Sequence, residues 1–124
     1  MSYLCGMKEQ MDIFLREVFF SEEFDEFYDS QTEKVQEKFD YVINILRREN
    51  ILTEKFVKKI QKTEFYEMRV GIGNNAYRSL FFAIDHDNAT LARKVILLNA
   101  FLKKSEKDYR KEVVKARNIL ERYK

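Results

Sequence analysis

Arginine and lysine are the residues of this sequence best suited to chemistry. Arg69 falls in FYEMRV (65–70), Arg78 in AYRSLFFAI (76–84), and Lys103 with Lys104 ends the run KVILLNAFLKK. A planar guanidinium grips phosphate oxygens in pairs, and crowded cations depress a neighbouring lysine's pKa until it can take a proton. If adjacent strands bring these side chains into one groove, phosphate is the obvious ligand. The same residues also allow a plainer reading, in which Arg69 pairs with Glu67 or Glu64 and the lysines guard a sheet edge against aggregation.

Other chemistries have poorer candidates. The single cysteine, Cys5, lies in an unpatterned terminus and the single histidine, His86, in a polar turn, so neither a nucleophile pair nor a Cys/His zinc site can be built. Gly71 to Asn75 (GIGNN) lacks the Lys-Ser/Thr of a phosphate loop and reads as a turn. The acidic run Glu22, Glu23, Asp25, Glu26, Asp29 reads as a solvated helix face and not as a metal site. No cofactor is expected.

The elements that must position the cations follow from periodicity. Asp12 to Phe20 is rich in Phe, Ile, Leu and Val and is expected to be a strand. Ser21 can cap a short helix to Tyr28 that turns Phe24 inward, together with Phe27 or Tyr28. From Thr32 to Glu49, Val35, Phe39, Val42 and Leu46 recur at helical spacing. Thr53 to Lys62 is expected to form a further helical turn anchored by Phe56 and Ile60.

The period then changes to two, with Tyr66, Met68 and Val70 on a buried face and Glu67 and Arg69 on a charged one. Gly71, Gly73, Asn74 and Asn75 permit a reversal into a second strand, Ala76 to Ile84. After the polar turn Asp85 to Ala92, Lys94 to Leu102 suits a central strand. Tyr109, Val113, Ala116, Leu120 and Tyr123 return to helical spacing in a basic closing helix. The order predicts an α+β fold: a small twisted, mostly antiparallel sheet of about four strands, with two N-terminal helices and a C-terminal helix against one face.

At 124 residues, without proline or repeats, the chain fits a single domain over 11–124, with residues 1–10 read as an extension and Met7 or Met11 as possible starts. No apolar run approaches the roughly 18 residues of a membrane span, and the lone cysteine suits a reduced, cytoplasmic setting. Charge is unevenly spread: net −6 over residues 1–57, +1 over 58–92 and +7 over 93–124. The basic C-terminal quarter points to nucleic acid or an acidic partner.

The stretch from Phe65 through the closing helix resembles the strand-hairpin-strand-helix core of RelE/HigB-type toxins. The match is carried by Tyr66-Glu67-Met68-Arg69, Tyr77-Arg78 and Leu97 to Lys104, and it is nearest to the phage-derived HigB-like branch of the RelE/ParE superfamily. The Lys-Lys pair is followed by SEKDY where that branch has Thr-x-Lys-Thr-Pro. The resemblance implies a toxin that cuts mRNA on the ribosome, paired with a helix-turn-helix antitoxin whose complex binds operator DNA. It implies that Arg69 and Arg78 hold the scissile phosphate and that Lys103 or Lys104 moves protons. Lys58, Lys59, Lys62 and Lys107 would contact RNA. Two rival expectations are a ParE-like toxin that binds gyrase and a non-enzymatic relative that only binds partners.

Overall fold

The computed structural model describes residues 14–124. The expected N-terminal extension, and Asp12 and Ile13 of the expected first strand, lie outside the described residues. The elements run β1 (Glu17–Phe20), α1 (Glu22–Asp29), α2 (Glu33–Arg48), β2 (Val57–Lys59), β3 (Phe65–Ile72), β4 (Asn75–Ala83), β5 (Lys94–Leu102) and α3 (Glu106–Glu121).

Each helix starts on a hydroxyl that satisfies an otherwise orphaned backbone N–H. Ser21 accepts from the Phe24 N–H, Thr32 from that of Val35 and Ser105 from that of Asp108. The helical stripe of α2 buries Phe39, Val42 and Leu46, joined by Ile43. Phe24 of α1 packs against Phe20, Tyr28 and Phe39.

The sheet has five strands in the order β1-β5-β4-β3-β2, mixed because β1 runs parallel to β5 while every other neighbour pair is antiparallel. The strand beyond the expected four is β2. Thr53 does open one helical turn, accepting from the Val57 N–H at 2.9 Å, but the chain then extends and pairs Val57, Lys58 and Lys59 with Met68, Glu67 and Tyr66. Three residues are too few to display a period, and lysines at an exposed edge look the same in either conformation.

Helices cover both faces of the sheet, against the single covered face expected. On one face α1 and α2 bury Met68, Val70, Tyr77, Phe81, Val95 and Leu97; on the other, Ala116, Ile119 and Leu120 of α3 pack on Phe65, Leu80, Ile96 and Leu98. The face that reads as charged in sequence is therefore largely enclosed.

A bulge shapes the α3 side. Between the pairs Ser79↔Ala100 and Phe81↔Leu97, Leu80 of β4 stands against both Leu98 and Asn99 of β5. An inserted residue of this kind breaks the alternation of faces. Leu98 packs beneath α3, the Asn99 amide donates to the carbonyl and side chain of Glu112, and Phe101 continues on the α3 face.

Arg16, just before β1, is buried and has no carboxylate partner among the described residues. Its guanidinium donates to the carbonyls of Leu46, Glu49, Asn50, Ala89 and Thr90 at 2.7–3.3 Å. The last carbonyls of a helix lack intrahelical donors and carry partial negative charge, so the end of α2 both saturates and compensates the cation. Burial nonetheless pulls its pKa below the ordinary value. Among the described residues no helix is long and apolar enough to cross a membrane.

Candidate functional site

The register of β3 and β4 sets Arg69 directly opposite Arg78. Glu67 precedes Arg69 by two positions and so shares its face, the one covered by α3. Like charges in paired positions repel, and Glu67 offsets that repulsion. Its Oε2 lies 3.1 Å from Arg69 Nε and 3.5 Å from Arg78 Nε. The Tyr109 hydroxyl, in the first turn of α3, donates to Oε1.

The arginines are further oriented by main-chain acceptors. Nη1 of Arg69 donates to the Glu54 carbonyl and Nη1 of Arg78 to that of Tyr77, each at 2.9 Å. Arg78 is 9% exposed and its Nε has no hydrogen-bond partner among the described residues, the approach to Glu67 being electrostatic. Phe101, opposite Arg78 on β5, meets the Tyr109 ring edge-on at 5.9 Å, and the Lys103 ammonium sits 5.5 Å from the centre of the same ring.

These surroundings shift two groups. Burial, reinforced by the hydrogen bond to Glu67 and its charge, raises the Tyr109 phenol well above its ordinary range. Burial also lowers Arg78, an effect that Glu67 opposes and Arg69 assists. The result is a half-enclosed group of two guanidiniums, a carboxylate and a phenol, with one further ammonium at its rim. Such a group can hold a phosphate oxyanion against the arginines, with the phenol as a hydrogen-bond donor and the carboxylate as an acceptor beside it.

The expected site residues divide accordingly. Arg69 and Arg78 come together, Lys103 borders them through the Tyr109 ring, and Lys104 lies just beyond, lining a hollow with Phe101, Tyr109 and Lys111. Both lysines are exposed. Lys58 pairs with Glu67 in register and shares its face, at the exposed edge. Lys59 points to the other face, over the Tyr66 ring, where its ammonium donates to the Thr63 carbonyl. Lys62 occupies an exposed turn at φ +64° and takes no part in the group. Lys107 is exposed on the first turn of α3. The plainer reading holds in part, since Arg69 does pair with Glu67.

Two members escape the sequence reading as functional residues. Glu67 looks like a surface partner for Arg69, and Tyr109 looks like one more apolar position of the closing helix. The signal for both was present: Glu67 and Arg69 share a strand face, and Tyr109 heads the stripe by which α3 must touch that sheet. His86 is exposed in its turn, as expected, its Nδ1 accepting from the Asn88 N–H.

The family model described as Phage derived protein Gp49-like (DUF891) matches residues 26–121. The chain belongs to this family. The match takes in α2, β2 to β5 and α3, and with them Glu67, Arg69, Arg78 and Tyr109, while β1 falls outside it. The family is a RelE-like toxin family, which agrees with the broader part of the resemblance described above. No curated protein and no solved structure matches this Gp49-like chain.

Proposed function

We propose that this Gp49-like protein is a HigB-like toxin of a toxin-antitoxin pair, an endoribonuclease that cuts mRNA on the ribosome without needing a metal. The observation that carries the reading is the facing pair Arg69 and Arg78, held around Glu67 beneath Tyr109. Cleavage proceeds by attack of a ribose 2′-OH on the adjacent phosphate, which forms a cyclic phosphate and releases a 5′-OH. The protein has to take the 2′ proton, stabilise the pentavalent phosphate and return a proton to the leaving oxygen. Arg69 and Arg78 serve the phosphate. Glu67 and Tyr109 are the nearest groups able to accept and donate protons, with Lys103 and Lys104 at the rim. In the resting pair, an antitoxin with a helix-turn-helix covers the basic groove and brings operator DNA into the complex.

The test is cleavage of a defined mRNA in chelator, with and without programmed ribosomes, by wild type and Arg78→Ala of equal fold. Cutting by wild type alone, and only on ribosomes, supports the reading. Growth arrest by a wild-type protein that cuts nothing overturns it, and gyrase then becomes the target to assay.

A further inference from the structure

Helix α3 presents two unlike faces. Tyr109, Val113, Ala116, Ile119 and Leu120 pack against the sheet, whereas Lys107, Arg110, Lys111 and Lys115 are exposed on the outer side. Among the described residues, none of these four cations has a carboxylate within ion-pair distance, while Arg117 and Arg122 are engaged by Glu64 and Glu23 at 3.6 and 2.7 Å. Glu112 is turned inward to accept from the Asn99 amide at 2.8 Å, and among the described residues the exposed acids of the first turn, Glu106 and Asp108, make no ion pair with the four cations. Of the acidic residues of α1, Glu23 reaches the end of α3, pairing with Arg122 and attracting Lys115 from beyond ion-pair distance.

Lys107, Lys111 and Lys115 follow one another at four-residue steps, about 6 Å of helix rise each. That spacing is comparable to the separation of neighbouring phosphates along a nucleic-acid strand. Lys107 lies two positions from Tyr109, on the opposite side of the helix, but Lys111 lines, with Phe101, Lys104 and Tyr109, the hollow next to the arginine pair, and so ties the row to it. A protein partner would need apolar anchors, and among the described residues Val114 is the one large apolar side chain exposed on this face.

We infer that the outer face of α3 is a track for the sugar-phosphate backbone of RNA, leading away from the Arg69–Arg78 pair. The inference deepens the nuclease reading and rests on it for the identity of the polyanion. Its contribution is ionic and independent of sequence, in contrast to the oriented contacts of the arginine pair.

The experiment titrates a fluorescent single-stranded RNA, 2′-O-methylated so that it cannot be cut, with full-length protein over a range of salt. The variants are Lys107→Gln/Arg110→Gln/Lys111→Gln/Lys115→Gln and Arg69→Ala/Arg78→Ala. Glutamine keeps helix propensity, and circular dichroism verifies the fold. The four-fold variant should lose between two and three units of salt slope in log Kd, at about 0.7 per phosphate, and bind at least ten-fold more weakly in low salt. The double variant should lose roughly one unit. An unchanged slope in the four-fold variant overturns the track, as does wild-type binding to poly-glutamate but not to RNA. A wild type that binds along α3 yet never cuts mRNA sinks the nuclease reading and leaves the track standing.

Discussion

Arg69 and Arg78 occupy paired positions on neighbouring strands, two like charges face to face, and the carboxylate of Glu67 lies within 3.5 Å of both. The arrangement is tolerable only while that carboxylate is present. Replacing Glu67 by alanine leaves Arg78 in its buried seat without a counter-charge and the Tyr109 hydroxyl without an acceptor. The expected cost is about 3 kcal/mol, read from urea unfolding. Changing Glu67 to leucine and Arg78 to methionine together should recover much of that loss. A double variant as unstable as Glu67→Ala would mean that the carboxylate does something other than balance charge.

Tyr109→Phe removes one hydroxyl and nothing else. It should cost about 1 to 2 kcal/mol at neutral pH, because Glu67 loses a donor in a half-buried setting. Its pH signature is more telling. The folded phenol titrates above its ordinary value of 10.0, so the stabilisation is fully present below pH 10 and is lost as pH rises toward the folded value. Stability of the wild type should therefore fall faster above pH 10 than that of the variant, and parallel curves would contradict the hydrogen bond.

Arg16 ties the end of α2 to the segment before β5. Arg16→Met would strand the carbonyls of Leu46, Glu49, Asn50, Ala89 and Thr90 without their donor, for a loss of at least about 3 kcal/mol. Arg16→Lys should rescue little, since three donors on a point charge cannot replace a planar fork of five. Thermal unfolding of the two variants decides this, and near wild-type stability of the lysine variant would refute it.

Glu23 and Arg122 join α1 to the end of α3 at 2.7 Å. The hydrogen bond from Arg122 outweighs desolvation and holds the Glu23 carboxyl below its ordinary value of 4.5. Its contribution is present above pH 4.5 and disappears as pH falls through the folded value. Arg122→Gln should flatten that acid limb and should matter less in molar salt, because the pair is largely exposed. Equal acid limbs in the two proteins would remove the pair from the stability account.

Much of the fold is visible in residue periodicity. The stripe of α2, the alternation of β3, the reversal at Gly71 to Asn75 and the apolar run of β5 all predict their elements with boundaries close to those observed. The role of the charged face of β3 is not visible, because Glu67 and Arg69 alternating with apolar residues look the same under water as under a helix. Only the pairing of Arg69 with Arg78, together with Tyr109 arriving from α3, shows that this face is enclosed. The bulge at Leu98 and Asn99 is equally hidden, since an extra residue in one strand is defined by counting against its partner. The face taken by Lys59 is hidden for a related reason: in a three-residue strand, one position decides which face a side chain takes.

The parallel pairing of β1 with β5 also bears on how the protein is made. Among the described strands β1 is made first and its partner β5 only after β2, β3 and β4, with Phe19 waiting for Ile96. Parallel pairing over so long a loop closes slowly, and helix α3, which covers the arginine pair, emerges later still. A nascent chain therefore holds its cations in unfinished form until α3 has emerged and closed over them.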